Sequence, residues 1–326
     1  MSEIKRVLIT GGGGFLGQKL AQALLGENIK VCSLSRGTYP QLTAMGVTTI
    51  CGDLTDLETV LAAAQGVDAI FHLAAKVAMW GSWEEFYQTN VVGTKNVISA
   101  CQQLGIKRLV YTSTPSVVFG GEDLLGVNES TPYPKKFVSR YAHSKAIAEK
   151  LVLAATAPNG LATVALRPHL ILGPGDPNLV PRLLEKAKNG KLKIIGDGEN
   201  LVDIIHIDRA VAAHLSALNL LTNDSPICGK AYFLAEKRPV RLWEFINQIL
   251  ISHQLPAVSK KIPFRIAYLA GAIFEFIATI TGSYQKDLPM TRFVAQQFAH
   301  SHYFDHQAAI RDLKFVPGPG VNPTSL

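Results

Sequence analysis

The sequence predicts an α/β fold: a Rossmann-type, doubly wound parallel sheet with a smaller, mainly helical C-terminal substrate lobe. Two observations predict it. Short apolar runs alternate with stretches of helical periodicity in the first half of the 326-residue chain, and a glycine-rich turn joins the first run to the first helix. Parallel strands need crossover connections, and right-handed crossovers place helices on both faces of a sheet. A ligand is then expected beyond the carboxyl ends of the strands.

The predicted strands are short runs rich in apolar and β-branched residues. They cover residues 7–9, 30–34, 48–51, 69–73, 108–112 and 163–166. Apolar spacing predicts helices at 15–25 and 90–104, and the second ends at Gly105, a residue type typical of helix ends. Beyond Arg167 the pattern is irregular and proline-rich, with further helices predicted at 242–251 and 262–280. The tail after Val316 is rich in proline and glycine and is predicted to fray.

Composition and charge exclude several classes of protein. Hydrophobic residues make up 48% of the chain and charged residues 17%, as in a globular protein with a large core. The net charge of +7 contains no block of consecutive lysines and arginines, so we expect no nucleic-acid partner, although it suits an anionic cofactor and an acidic substrate. The four cysteines are scattered, without metal-site spacing, and no export signal is visible. We therefore expect no metal, reduced thiols and a cytoplasmic location.

A glycine-rich turn follows the first predicted strand. Glycines stand at Gly11, Gly14 and Gly17, with Phe15 and Leu16 opening the helix between them. Gly11 permits a tight turn, Gly14 lets the backbone approach a pyrophosphate, and Gly17 allows close packing of helix on strand. Because the N-terminus of a helix attracts negative charge, the turn predicts a dinucleotide site.

The end of the second predicted strand indicates which dinucleotide is bound. An NAD enzyme usually places an acidic residue here, against the adenosine ribose hydroxyls. This chain has Ser35 and Arg36 instead. A hydroxyl and a guanidinium suit a 2′-phosphate, which a carboxylate would repel. The sequence therefore favours NADP(H) over NAD(H).

A tyrosine and a lysine predict the chemical step. Tyr141 and Lys145 are four residues apart at the start of a predicted helix, so both side chains lie on one face. A free tyrosine titrates near pH ~10, and a lysine charge beside it favours the phenolate. The pair follows a strand that ends in the hydroxyl residues Thr112, Ser113 and Thr114. This order predicts acid–base chemistry at the cofactor face of the sheet.

Several further segments identify the chain as a member of the extended short-chain dehydrogenases/reductases over nearly its whole length. These segments are Thr10-Gly-Gly-Gly-Gly-Phe-Leu-Gly17, Gly52-Asp-Leu54, Phe71-His-Leu-Ala-Ala75, Asn90-Val-Val-Gly-Thr94, Tyr111-Thr-Ser-Thr114, the Tyr141/Lys145 pair and Leu166-Arg-Pro168.

The resemblance implies roles for individual residues. Asp53 and Leu54 would flank the adenine. Ala74 and Ala75, followed by Lys76, would line the cofactor, as would Thr112. Lys145 would also hold the nicotinamide ribose, and Arg167 and Pro168 would lie near the carboxamide. Thr114 would be the hydroxyl member of the catalytic triad, with Ser113 as the alternative.

Within this group the second half resembles the 3β-hydroxysteroid dehydrogenase-like branch, notably in Thr291-Arg-Phe293 and Ser301-His-Tyr-Phe-Asp305. Residues 74–83, 111–116 and 166–176 are similar to bacterial 2-alkyl-3-oxoalkanoate reductases, which act in olefin biosynthesis and lipid metabolism. The resemblance implies NADPH-dependent reduction of a β-keto acid with alkyl chains. Two alternatives remain: a steroid or sterol-4-carboxylate 3-dehydrogenase, and a non-catalytic dinucleotide-sensing protein.

Four residues are candidates for the substrate pocket. Trp80 and Trp83 are ordinary packing aromatics or walls of that pocket, and His169 and His206 are structural histidines or contacts of a substrate carboxylate. The helix at 262–280 lines an apolar pocket or contacts a membrane peripherally, since Arg265 and Glu275 interrupt a span. Homodimerisation is implied by the resemblance.

These predictions give a domain division. Residues 1–170 form the NADP-binding Rossmann domain, and 205–235 return to it. Residues 171–204 and 236–326 form the substrate-binding lobe.

Overall fold

The structure, a computed structural model, describes residues 4–285 and 287–326. Its strands are β1 (Arg6–Thr10), β2 (Lys30–Ser35), β3 (Thr48–Cys51), β4 (Ala69–His72), β5 (Arg108–Thr112), β6 (Leu124–Val127), β7 (Ala162–Pro168), β8 (Leu170–Leu172), β9 (Ile194–Ile195), β10 (Leu201–Val202), β11 (Ile204–His206), β12 (Lys230–Leu234), β13 (Val240–Arg241), β14 (Lys261–Ile262) and β15 (His302–Phe304). Its helices are α1 (Phe15–Gly26), α2 (Pro40–Ala44), α3 (Leu57–Ala64), α4 (Trp83–Phe86), α5 (Gly93–Leu104), α6 (Arg140–Ala154), α7 (Leu179–Lys188), α8 (Ile207–Leu220), α9 (Leu242–Ser252), α10 (Phe264–Ile280), α11 (Arg292–Ala299) and α12 (Gln307–Asp312).

A seven-stranded sheet forms the centre of the molecule. Its order is β12-β7-β5-β4-β1-β2-β3, and every neighbouring pair is parallel. From β1 the chain continues through β2 and β3 to one edge of the sheet. It then returns to β4, on the other side of β1, and continues through β5 and β7 to β12 at the opposite edge. The order therefore reverses between β1 and β4, and such a switch point opens a crevice at the carboxyl ends of the strands. The predicted fold class is confirmed.

Two apolar layers cover the sheet because successive side chains of a buried strand point to opposite faces. In β1, Val7 and Ile9 pack in one cluster with residues of α1 and α8. Leu8, between them, packs in a second cluster with residues of α3, α5 and α6. Each of the three β1 side chains is fully buried. This two-sided burial explains the continuous apolar runs of the sequence.

The remaining elements form smaller sheets and a helical lobe. One sheet has the order β13-β10-β15-β6, and two strand pairs join β11 to β8 and β14 to β9. Trp243 and Ile246 of α9, Leu183 of α7 and Ala267 of α10 share an apolar cluster beside these strands. β12, from the segment 205–235, pairs with β7 in the main sheet. β6, from the segment 1–170, pairs with β15.

The C-terminal tail differs from the prediction. Val321 is buried with Leu172 and Ile249, and Leu326 packs against the same cluster. The prediction of a frayed tail is wrong for these residues, because burial of apolar side chains offsets the entropy that the proline- and glycine-rich backbone loses.

Helix α10 is the longest helix of the lobe, at 17 residues. Among the described residues, no helix has both the length and the apolar character needed to cross a membrane.

Candidate active site

The glycine turn lies at the switch point of the sheet. Gly11 has a φ of +74°, and a Cβ on this residue would lie 2.8 Å from the Cα of Ala74, at the end of β4. A Cβ on Gly17 would lie 2.5 Å from the carbonyl oxygen of Gly11, so α1 packs directly on the turn. No side chain caps the N-terminus of α1, where Gly14 is exposed and Phe15 and Leu16 begin the first turn. Free helix N–H groups beside a bare backbone fit a pyrophosphate.

The residues predicted to bind the adenosine half of the cofactor lie at the ends of β2 and β3. Arg36 is exposed, and among residues 4–285 and 287–326 no carboxylate lies within ion-pair distance of it. The Oγ of Ser35, half-buried beside it, lies 3.5 Å from the Oγ of Ser33. Asp53 accepts hydrogen bonds from the backbone and hydroxyl of Thr55, at 2.9 and 3.0 Å. One oxygen of its carboxylate is therefore engaged within its own loop. This end of the crevice is therefore suited to an anion.

The loop after β4 is anchored by Asn90, a buried residue of the segment Asn90-Val-Val-Gly-Thr94 for which the sequence alone indicates no role. Its side chain accepts a hydrogen bond from the N–H of Lys76 at 2.7 Å and donates to the carbonyl of Lys76 at 3.2 Å and to the hydroxyl of Ser144 at 2.9 Å. Asn90 lies in a π-helical stretch, Tyr87–Val92, where a helix from 90 onwards was predicted. Through Asn90, this irregular turn connects the loop that contains Ala74 and Ala75 with helix α6.

Tyr141 lies in the first turn of α6, which Ser139 caps by accepting a hydrogen bond from the N–H of Ala142 at 3.1 Å. Burial raises the pKa of Tyr141 to about 12, and a hydrogen bond with Thr114 acts in the opposite direction. Thr114 caps the 3-10 turn that follows β5. At neutral pH the phenol is therefore protonated, which is the form that can donate a proton. Contrary to the prediction of a lowered pKa, the net shift is upward, because burial outweighs the interactions that favour the phenolate.

Lys145 lies one turn further along the same helix face and is 2% exposed. Its Nζ donates to the carbonyl of Thr112 at 2.7 Å and lies 4.1 Å from the centroid of the Tyr111 ring. Burial lowers the pKa of Lys145 to about 7, and the Glu149 carboxylate acts in the opposite direction. The structure thus brings Tyr141, Lys145 and Thr114 together at the carboxyl end of β5.

Two other hydroxyl residues of this strand end face elsewhere. The Thr112 hydroxyl donates to Nε2 of His214 at 2.8 Å, because Nδ1 of that ring donates to the carbonyl of Ala210. Thr112 therefore meets Lys145 through its carbonyl. Ser113 is buried, and its hydroxyl helps to lower the pKa of the Glu149 carboxyl. Thr114 is the hydroxyl that meets the phenol.

The Arg167 side chain lies away from the crevice. Its Nε and Nη2 donate to the Glu149 carboxylate at 2.9 and 2.7 Å, with both side chains almost fully buried. Tyr133 donates to the same carboxylate at 2.7 Å. Burial acts against ionisation of Glu149, but Arg167 outweighs it and lowers the carboxyl pKa. The structure does not bring the guanidinium to a carboxamide site. Pro168 follows it as the last residue of β7.

The four candidate substrate residues are not all together. His169 accepts from the N–H of Leu170 at its Nδ1 and donates from Nε2 to Nδ1 of His302, at 2.8 Å for both bonds, so neither nitrogen is free for a substrate. His206 caps α8 by accepting from the N–H of Asp208. Trp83 packs against His143, with ring centroids 4.8 Å apart, on the outer side of α6.

Trp80 lies beside the start of α6. Its Nε1 donates to the carbonyl of Ser283 at 3.2 Å, and its ring stacks on Tyr284 at 5.8 Å. The guanidinium of Arg140, the residue before Tyr141, lies 5.3 Å from both rings and donates to the carbonyl of Gly81. The loop after β4, the end of α10 and the start of α6 therefore meet here.

Comparisons with known proteins identify the family of the chain. Residues 8–264 match the 3-beta hydroxysteroid dehydrogenase/isomerase family. The chain is 46% identical over 321 residues to the 2-alkyl-3-oxoalkanoate reductase of Shewanella oneidensis, covering 96% of this chain and 83% of the relative. It is 47% identical over 315 residues to the reductase of the same name from Stenotrophomonas maltophilia, covering 96% and 94%. Identity to the decarboxylating sterol-4-alpha-carboxylate 3-dehydrogenase of Homo sapiens is 38% over 268 residues, covering 81% and 70%.

Solved structures share the fold at lower identity. The UDP-glucuronic acid 4-epimerase of Bacillus cereus in complex with NAD has a TM-score of 0.72 at 21% identity, covering 98% of this chain and 95% of the epimerase. A short-chain dehydrogenase/reductase superfamily protein of Agrobacterium tumefaciens with bound NAD has a TM-score of 0.71 at 18% identity, covering 96% and 92%. The resemblance inferred from the sequence is confirmed. The chain belongs to the 3-beta hydroxysteroid dehydrogenase/isomerase family and is an oxidoreductase.

Proposed function

We propose that this protein reduces a 3-oxo acid carrying alkyl chains to the 3-hydroxy acid, with NADPH as cofactor. The observation that carries the proposal is the convergence of Tyr141, Lys145 and Thr114 beside the glycine turn at the switch point of the sheet. The names of the relatives at 46% and 47% identity support this substrate class.

Each residue of the site has a separate role in the proposed reaction. NADPH supplies the hydride that reaches the carbonyl carbon. Tyr141 donates the phenolic proton to the carbonyl oxygen, and its raised pKa keeps that proton in place at neutral pH until negative charge develops on the oxygen. Thr114 orients the oxygen by a hydrogen bond. Lys145, when charged, stabilises the phenolate left on Tyr141, and it also holds the nicotinamide ribose.

In this proposal, the rest of the cofactor binds along the backbone groups that line the crevice. The N–H groups at the start of α1, with Gly11, Gly14, Phe15, Leu16 and Gly17, hold the pyrophosphate. The half-buried Asp53 and the buried Leu54 flank the adenine, while Ala74, Ala75 and the backbone of Lys76, Thr112 and Pro168 line the remainder. Ser35 and Arg36 hold the 2′-phosphate.

The Arg36→Asp variant tests the cofactor preference. A charge-assisted hydrogen bond to a phosphate is worth about 1.5–3 kcal/mol, so kcat/KM for NADPH is expected to fall by roughly ten- to hundredfold. The value for NADH should change little, because NADH has no 2′-phosphate. Arg182→Asp, an identical charge change at an exposed position of α7, serves as control. Equal use of NADH and NADPH by the wild type, unchanged in Arg36→Asp, would contradict the preference.

The substrate class is tested by following the absorbance of NADPH with three sets of ketones. We expect turnover with 2-alkyl-3-oxo acids, and slow or no turnover with 3-ketosteroids and with 4-keto sugar nucleotides. Reaction with sugar nucleotides alone would reject the proposal.

A second function has one specific observation in its favour. The human relative at 38% identity is named a decarboxylating sterol-4-alpha-carboxylate 3-dehydrogenase. The same three side chains support oxidation of a 3-hydroxy acid, with Tyr141 then accepting the proton. Oxidation of a 3β-hydroxysterol-4-carboxylate with NAD⁺, without reduction of alkyl 3-oxo acids, would favour this function.

We also propose the setting in which the enzyme works. It acts in the cytoplasm, as a homodimer, with peripheral contact to a membrane. Residues 1–170 and 205–235 form its cofactor domain, and 171–204 and 236–326 its substrate lobe.

A further inference from the structure

Helix α10 has two apolar faces. One faces the protein: a Cβ on Gly271 would lie 2.6 Å from the backbone nitrogen of Arg292, so α11 packs directly on α10. Glu275 accepts hydrogen bonds from the N–H and Nε of Arg292, at 2.7 and 2.6 Å, which fixes the rotation of the helix. The other face points outward. It consists of Ile266, Leu269, Ile273, Phe276, Ile277 and Ile280, each 51–69% exposed.

These six outward side chains form one stripe. A helix advances by about 100° per residue, which places all six within an arc of about 100°, nearly opposite the buried Gly271 and Glu275. The structure records 12 large hydrophobic residues as exposed among those it describes, and half of them lie on this stripe. A contiguous apolar surface of this kind marks a site of interaction and is not typical of scattered surface residues.

The C-terminal end of the stripe lies near the start of α6, where Arg140 precedes Tyr141. There Trp80 contacts Ser283 and Tyr284, immediately after α10. The loop that carries Trp80 adds the exposed Val77 and Met79, at 66% and 44%. A tryptophan and a tyrosine at the end of an apolar helix face are typical of side chains at a membrane–water interface.

The N-terminal end of the stripe is basic. Residue Lys261 of β14 pairs with Ile194 of β9, which brings the segments 186–199 and 260–265 together where α10 begins. These segments contain seven basic residues, against the acidic Asp197 and Glu199. The basic residues are all exposed: Lys186, Lys188, Lys191, Lys193, Lys260, Lys261 and Arg265.

We propose that α10 binds an anionic lipid surface, with its stripe in the headgroup region and the seven basic residues against lipid phosphates. An apolar stripe beside a basic cluster is matched by a bilayer, which offers acyl chains and negative charge together. A second copy of the chain would offer apolar surface but the same excess of positive charge. Since no helix of the described residues can cross a membrane, α10 lies along the surface.

Docking in this orientation places Trp80 and the start of α6, with Tyr141, near the lipid surface. This part of the inference rests on the proposed function, because an alkyl 3-oxo acid would partition into the bilayer and reach the site without crossing water. The lipid binding itself does not rest on it and is measured without substrate or NADPH.

The test is flotation of the full-length protein with vesicles of phosphatidylcholine, with and without phosphatidylglycerol. The Ile273→Glu/Phe276→Glu variant is expected to lose at least about tenfold in partition coefficient, since each buried side chain of this size is worth about 1.5–3 kcal/mol. Leu125→Glu/Ile251→Glu adds the same charges at equally exposed apolar positions outside the stripe and should bind like the wild type. Thermal unfolding checks that both variants are folded.

The Lys191→Glu/Lys193→Glu variant tests the electrostatic part. It should weaken binding to phosphatidylglycerol vesicles by at least about fivefold per lysine at low salt, since each basic side chain near an anionic surface is worth about 1 kcal/mol. Binding to phosphatidylcholine alone should not change.

Three outcomes would overturn the proposal. The wild type could fail to float with anionic vesicles, or the stripe variant could float as well as its control. A change from dimer to monomer in the stripe variant, with vesicle binding intact, would assign the face to a second copy of the chain.

Turnover of a short-chain, water-soluble 3-oxo acid without vesicles should be equal in wild type and stripe variant. Its absence in both would reject the proposed function and leave the lipid binding standing.

Discussion

Replacing Tyr141 by phenylalanine is expected to lower kcat by about 10²–10⁴-fold, the range for loss of a positioned general acid. The phenol is the proton donor that Thr114 contacts, and its pKa of about 12 makes it protonated at neutral pH. Phenylalanine keeps the ring but cannot supply a proton, so NADPH affinity should stay within about twofold of the wild type, because the ring itself makes no charge-assisted bond to the cofactor. Steady-state kinetics and fluorescence titration of NADPH measure the two quantities.

Tyr303→Phe is the matched control, because it removes a phenol at a half-buried position of β15 outside the site. It should leave kcat unchanged. If Tyr141→Phe kept wild-type turnover, the acid–base role of this residue would be excluded. If it lost NADPH binding as well, the variant would report on the cofactor site and not on proton transfer.

Replacing Glu149 by alanine is expected to destabilise the protein by about 3–5 kcal/mol, the usual cost of leaving one partner of a buried ion pair alone. Arg167 would lose both of its hydrogen bonds in the interior, and Tyr133 would lose its acceptor. Chemical denaturation of wild type and variant gives the free energy of unfolding.

Two further variants separate the buried charge from general packing. The Glu199→Ala change removes a partner of Arg241 at an ion pair whose side chains are 47% and 61% exposed, so its effect should stay below about 1 kcal/mol. The Glu149→Leu/Arg167→Met double variant removes both buried charges and should recover most of the stability that Glu149→Ala loses. Equal losses in Glu149→Ala and Glu199→Ala would show that the buried charge is not the cause.

The main sheet was predictable because its signals are local. The predicted strands at 48–51 and 108–112 agree with β3 and β5, and the others differ by a few residues at their ends. An apolar run between turns suffices to identify a buried strand. The closeness of Tyr141 and Lys145 was predictable in the same way, since residues four apart on a helix are neighbours whatever the tertiary structure.

Features that depend on partners distant in sequence were not predictable. Arg167 was expected near a carboxamide, but a buried guanidinium requires a counter-charge, and Glu149 provides it from α6. The pairing of His169 with His302 joins residues 133 positions apart. Asn90 fixes two segments through a side-chain amide whose partners the sequence does not reveal.

The position of Arg140 connects two aromatic side chains to the proton donor. Its guanidinium lies against both Trp80 and Tyr284, and the next residue in the chain is Tyr141. If the two rings moved apart, Arg140, in the first turn of α6, would lose contact with one of them. We therefore expect any movement of these two rings to be coupled to the alignment of the proton donor, Tyr141.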